Sequence, residues 1–250
     1  MSASVHHGTF PSPSKIRMNC HDCTLSRLCL PGCLQQSEID RLENIVKRNR
    51  PLHKGDHLFR AGERMQQVYA LRSGALKTYL LDQDGNEQVT GFTLPGELVG
   101  LDAFGSSCFP SYAVALETSL VCTIPLAELE ELAGCIPSLR KRLLVTLSRE
   151  LHEEQQHYSH NWESAEQRLA AFLLNLSARY SRRNLSSTSF ILSMSRGDIG
   201  NYLGLTTETV SRLFSRLRQQ GLLEIKGREL RLTHPAALNR LDRIEVQPTI

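Results

Sequence analysis

The sequence predicts an α+β chain: an N-terminal β-roll, one long helix and a C-terminal winged helix-turn-helix. Three observations predict it. Between Pro51 and Ile124, strand-forming runs such as Val68-Tyr69-Ala70-Leu71 and Val89-Thr90-Gly91-Phe92 alternate with Gly55, Gly62, Gly74, Gly85 and Gly96. Turn signals every ~8–12 residues between such runs mark an all-β roll or barrel. From about Ser138 to Ser159 neither glycine nor proline interrupts the chain, so a helix of several turns is expected. From Ser195 onward a capped helix, a glycine turn and a second capped helix precede an alternating hairpin.

Taken in order, residues 1–18 hold two histidines, two prolines and four serines without an apolar core. They read as a disordered arm, not an export signal. Residues 19–34 form a cysteine-bearing segment, 35–137 the roll, 138–162 the long helix and 163–250 the winged domain. Within the roll, Gln36 to Val46 carries Ile39, Leu42, Ile45 and Val46 at helical spacing, with Ser37 expected as its cap. Asp82-Gln83-Asp84-Gly85 is a hairpin tip. Glu166 to Tyr180 reads as a helix with Leu169, Phe172, Leu173 and Leu176 on one side, and Arg182 to Ser187 as a polar loop.

Hydrophobic content of 40% and charged content of 22% describe a soluble globular protein. No apolar run reaches the ~18–20 residues that span a bilayer, so no membrane partner is expected and a cytoplasmic location is. The net charge of +3 is uneven. Residues 166–250 carry thirteen Lys/Arg against seven Asp/Glu, a balance of +6 that leaves −3 on the rest. A basic C-terminal part points to a polyanion there, although a merely soluble surface has the same charge.

Cys20, Cys23 and Cys29 are spaced C-x2-C-x5-C. Three thiolates from one compact turn suit a soft metal or an iron–sulfur cluster, and both normally take a fourth ligand. Cys33 nearby and Cys122 far along the chain are both candidates. Seven cysteines is an odd number, and with no sign of export disulfides are not expected.

On the long helix Leu144, Leu147, Leu151, Glu154 and Tyr158 follow alternating three- and four-residue steps. That is the seam of a two-stranded coiled coil, although such a stripe also packs on its own domain. We read it as a dimerisation seam. In a symmetric parallel pair Glu154 faces its own twin, which keeps the dimer marginal.

In the winged domain Ser195 and Asp198 make a capping box, Gly204 a turn, and Thr206 the cap of a helix over Thr207–Gln219. Leu222 to Leu232 alternates about Lys226-Gly227 as a wing. The second helix of such a unit enters the major groove by its N-terminal residues, which are Thr207, Glu208, Ser211 and Arg212 here. Arg212 is suited to guanine, Glu208 to a cytosine amino group, and Ser211 is short and adaptable. Arg216, with Arg218 and Lys226, is expected on phosphates. An ordinary solvated face with an internal Glu208–Arg212 pair is the plainer alternative. No constellation of base, nucleophile and oxyanion donors is present, so an enzyme is not expected.

With these pieces located, the chain resembles the cyclic-AMP receptor/FNR superfamily, and specifically the FNR anaerobic regulators, from Cys20 to about Leu232. The resemblance rests on Cys20-x2-Cys23-x5-Cys29, on Cys122 in a Val-Cys-x-Ile-Pro context, and on Glu208-x-x-Ser211-Arg212. It implies a cyclic-nucleotide-binding-like roll and a [4Fe–4S] cluster on Cys20, Cys23, Cys29 and Cys122, with Cys33, Cys108 and Cys135 as non-ligands. It also implies a cluster-loaded homodimer that binds palindromic double-stranded DNA with TTGAT-like half-sites and contacts RNA polymerase, activating or repressing. Oxygen then converts the cluster to a [2Fe–2S] form and the dimer is lost. Nucleotide-binding relatives open their phosphate segment with Gly-Glu-Leu and close it with Arg-Ser-Ala. This chain keeps Gly96-Glu97-Leu98 but has Pro110-Ser111-Tyr112 in place of the second motif. A cyclic phosphate would lack its arginine partner, so no cyclic nucleotide is expected. A regulator with a structural zinc site on Cys20, Cys23, Cys29 and Cys33, a small-ligand sensor, and an iron–sulfur electron carrier are the alternatives.

Overall fold

The computed structural model describes residues 19–159 and 164–242, without the side chains of 156–159 and 242. The expected arm of residues 1–18 and the side chain of Tyr158 lie outside the described residues. The cysteine segment ends in a 3-10 turn, Leu30–Cys33, ahead of α1 (Gln36–Ile45). The capping of α1 differs from expectation. Its box is made by Gln35 and Glu38, whose carboxylate accepts the Gln35 N–H at 2.8 Å. Ser37 falls inside the first turn, where it cannot cap.

The roll comprises β1 (Lys47–Arg48), β2 (His57–Phe59), β3 (Gln67–Ser73), β4 (Leu76–Leu81), β5 (Glu87–Thr93), β6 (Leu98–Val99), β7 (Tyr112–Ala115) and β8 (Leu120–Pro125). They form two antiparallel four-stranded sheets, β1-β8-β3-β6 and β2-β7-β4-β5. Phe59, Leu71, Leu76 and Ile124 are fully buried between them. α2 (Leu126–Cys135) and the first turns of α3 (Pro137–Ser159) close the core with Leu129, Leu132, Leu139 and Leu143.

The C-terminal unit runs α4 (Ala165–Arg182), β9 (Ser189–Ile191), α5 (Arg196–Leu203), α6 (Thr207–Gln219), β10 (Leu223–Lys226), β11 (Glu229–Leu232) and α7 (Pro235–Asp242). Both expected caps form: Ser195 with Asp198 starts α5, and the Thr206 hydroxyl accepts from Thr209 N–H to start α6. Gly204 ends α5 in the left-handed region (φ 64°), a conformation that costs a side-chain-bearing residue free energy and glycine none. The wing is three-stranded, order β10-β11-β9.

The two units share a core. Val89, Phe92, Leu94 and Leu116 of the roll pack with Phe172, Leu173 and Leu203 of the C-terminal unit. Polar ties flank them. Lys77 Nζ is 2.9 Å from Asp198, Val89 N–H donates to Asn201 Oδ1 at 2.6 Å, and Asn201 Nδ2 donates to Glu87 O at 2.6 Å. Here the expected polar loop needs correction. Arg182 closes α4, and the side chain of Arg183 is only 3% exposed because it turns inward onto the roll.

Candidate functional site

Two chain segments bring four thiols into one neighbourhood. The Cys20 N–H donates to Glu43 Oε2 of α1 at 2.7 Å, and Glu43 pairs with Arg48. Arg48 lies opposite Cys122 in the β1–β8 ladder, so the cysteine turn is anchored beside β8. The thiol of Cys20 lies within electrostatic reach of Cys29 and Cys122, Cys29 of Cys122 and Cys23, and Cys122 of Cys23. Cys33 points elsewhere: its Sγ donates to Ser138 O at 3.4 Å.

Burial, followed by a hydrogen bond to the Glu43 carboxylate, pushes the Cys20 thiol well above the ordinary range. Burial takes Cys29 to about 12, against the pull of the Leu30 backbone N–H and, more weakly, of the Arg142 guanidinium. Cys122 is raised by burial and drawn back by Arg72 and Arg48. All seven cysteines are free. Among the described residues, no group of three or more His, Cys, Asp or Glu stands at the spacing of a metal ion's ligands. Four sulfurs brought from two segments are nonetheless the donor type that iron–sulfur and zinc–thiolate sites use.

On α6 the predicted reading face is exposed: Thr207, Glu208, Ser211, Arg212 and Arg216 all reach solvent. Ser211 Oγ donates back to Thr207 O at 2.8 Å, and Arg212 Nη2 to Thr209 Oγ1 at 3.4 Å. Arg216 is 3.6 Å from Glu166 with 63% of its side chain exposed. On the other face Val210, Leu213, Phe214 and Leu217 are buried and fix the rotation of α6.

Along α3, Leu144 and Leu151 are 62% and 61% exposed, an apolar stripe that the chain's own domains leave in water. Glu154 is exposed beside it. Leu147 is half-buried and packs against the roll's core, so it borders both the exposed stripe and its own domain.

The Gly96-Glu97-Leu98 segment is engaged by the protein's own arginines. Arg179 and Arg183 of α4 and its C-cap converge on the Glu97 carboxylate, Arg179 Nε at 3.0 Å and Arg183 Nη2 at 2.6 Å. Arg179 Nη2 also donates to Phe92 O at 2.5 Å, and Arg183 Nε to Pro95 O at 2.7 Å. Burial alone would raise Glu97, but the two guanidinium groups bring it down to about 2. Ser111 Oγ donates to Asp102 at 2.6 Å. Sequence reasoning missed this clamp, since its partners are 82 and 86 positions apart and no local pattern joins them.

Residues 167–241 match the Crp-like helix-turn-helix domain family, and residues 49–134 match the cyclic nucleotide-binding domain family. Over 225 residues, 90% of each chain, the protein is 46% identical to the Fumarate and nitrate reduction regulatory proteins of Escherichia coli K12 and Shigella dysenteriae. The chain belongs to the FNR family. As an FNR-family member it is a DNA-binding transcription regulator and not an enzyme. The structure of FixK2 from Bradyrhizobium japonicum is similar at 31% identity and a TM-score of 0.73, covering 80% of this chain and 98% of that one. A transcriptional regulator of the crp/fnr family from Eubacterium rectale shares the fold at 17% identity and a TM-score of 0.61, covering 86% of this chain and 98% of that one. No helix among the described residues of this FNR-family chain is long and apolar enough to cross a membrane.

Proposed function

We propose that this FNR-family chain is an oxygen-responsive regulator whose Cys20, Cys23, Cys29 and Cys122 hold a [4Fe–4S] cluster. The cluster-loaded protein pairs through Leu144, Leu147, Leu151, Glu154 and Tyr158. The pair binds palindromic TTGAT-like sites in the cytoplasm and contacts RNA polymerase. The single observation that carries the reading is the convergence of the N-terminal cysteine turn on Cys122 of β8, with Cys33 turned to the carbonyl of Ser138.

When bound, the cluster supplies an oxygen-labile crosslink between the N-terminal turn and the roll. The protein's own groups do the rest. Glu43 orients Cys20 through its N–H and is itself fixed by Arg48. Leu139 and Leu143 seat α3 on the roll, so Leu144 and Leu151 face outward as the contact stripe. Half-sites about 34 Å apart need two recognition helices at once, so weakening the stripe removes binding as a whole. Glu208, Ser211 and Arg212 present to base edges and Thr207 to the helix end, with Arg216 toward phosphate. Neutralisation of Glu97 by two arginines, together with Pro110 where a phosphate-binding arginine would stand, supports a regulator without a cyclic nucleotide.

Mobility-shift assays on a TTGAT-type palindrome, run without and then with air, test the reading. Binding as a dimer without air and its loss in air are expected. Binding indifferent to air would favour a structural metal and overturn the proposal.

A further inference from the structure

The long helix meets the cysteine turn at one guanidinium. Arg142, in the second turn of α3, donates from Nη2 to the carbonyl of Leu28, and to that of Arg27 at 3.3 Å. These are the two carbonyls immediately before Cys29. The turn's own ladder uses others: Ser26 N–H bonds Cys23 O at 3.0 Å, while Leu28 and Cys29 N–H both bond Leu25 O, at 2.9 and 3.0 Å. Among the described residues no backbone N–H takes the Arg27 or Leu28 carbonyl. From the other side the Arg27 carbonyl is boxed in by Gly32, where an added Cβ would sit 2.4 Å from that oxygen. The Gly32 backbone thus packs closely on the same carbonyl that the guanidinium holds.

The seam continues beside Arg142, since Cys33 Sγ bonds Ser138 O at 3.4 Å and Ser138 Oγ bonds Glu38 at 3.2 Å. On the helix, Arg142 immediately precedes Leu143, which is buried in the roll, and Leu144, which is exposed on the contact stripe.

We propose that Arg142 is the positioning residue that couples the cysteine turn to the long helix, gripping the two carbonyls ahead of Cys29 so that the turn and the helix's contact stripe are set together. It rests on the reading of Cys29 as a cluster ligand. The guanidinium does not touch the metal. It fixes the backbone that aims Cys29. A charge-assisted hydrogen bond to a carbonyl is directional and stronger than a neutral one, so this contact responds to small displacements of the turn.

The test uses the full chain purified without air as wild type, R142M, R142K and, as control, K141M on an exposed neighbouring position. Hydrogen exchange is followed in segments 25–30 and 139–146, and the loss of visible colour is timed after exposure to air. For R142M, exchange in both segments should rise about fivefold to tenfold, the equivalent of losing one hydrogen bond of ordinary net strength, and colour should fade several-fold faster. R142K, which keeps the charge without the planar fork, should fall between R142M and wild type in both. K141M should match wild type. Unchanged exchange or unchanged fading in R142M overturns the proposal, as does a rise spread evenly over the chain or reproduced by K141M. A wild type without colour would defeat the cluster reading alone, and the exchange measurement would still decide whether Arg142 ties turn to helix.

Discussion

Replacing Glu97 with glutamine should loosen the two domains from each other without touching the recognition face. In the native chain the carboxylate receives Arg179 and Arg183 and also accepts the Leu94 N–H at 2.9 Å. Its acidity moves from an ordinary 4.5 to about 2. At about 1.4 kcal/mol per unit, that displacement corresponds to about 3 kcal/mol of stability. The side chain is still 29% exposed, so solvent screening reduces the effective figure to about 2 kcal/mol. Because the folded value lies below the unfolded one, this stability is fully present above about pH 4.5. It disappears as the pH falls through about 2. Glu97→Gln removes the charge and leaves Arg179 buried without its counter-ion. Urea unfolding followed by tyrosine fluorescence at pH 7 should show the variant destabilised by about 2 kcal/mol, with the domains separating into two transitions. Between pH 4.5 and about pH 2 the gap to wild type should close progressively, because protonation makes the native residue resemble the variant. A gap that stays constant over that range, or variant and wild-type curves that coincide at pH 7, would refute the assignment of this pair as the interdomain clamp.

Serine replacement of Cys20, Cys23, Cys29 or Cys122 should each lower iron and sulfide content after anaerobic purification, whereas Cys33→Ser, Cys108→Ser and Cys135→Ser should leave it unchanged. Loss in Cys33→Ser with retention in Cys122→Ser would move the fourth ligand. Glu154→Ala should favour the dimer roughly tenfold, ~1.4 kcal/mol, by removing a like-charge contact at the seam; sedimentation in air that still finds only monomer would take Glu154 off the seam. Arg212→Ala should cost ~1–3 kcal/mol and relax preference at one G·C pair. Arg216→Ala should instead weaken all sequences alike and flatten the salt dependence, a contrast read from a panel of single-base half-site variants at fixed salt. An Arg212→Ala profile that is weaker but unchanged in base preference would misplace the recognition face.

The parts of the fold legible in the sequence are those specified by neighbours along the chain. Ser195 with Asp198, Gly204 and Thr206 cap and break helices within a few residues, and the observed α6 spans Thr207–Gln219 as the pattern predicts. Elements held by distant pairing were missed. β9 is three residues long and exists by bonding to β11, and α2 follows Pro125 while α7 starts on Pro235, both in stretches without a distinctive local pattern. The cysteine triplet is visible as spacing, but its approach to Cys122 depends on the β1–β8 register and on Glu43 bridging to Cys20. Arg142 and Arg183 look like ordinary basic surface residues in sequence. Their roles come from carbonyls and a carboxylate that only folding brings within reach.

The most direct test of the central claim is the visible absorption spectrum of the full chain purified without air, recorded before and after oxygen is admitted. A broad brown band present before exposure, and changed or lost after it, is the predicted result for four thiolates holding an iron–sulfur cluster. A colourless anaerobic protein, or a band that air leaves untouched, would contradict it.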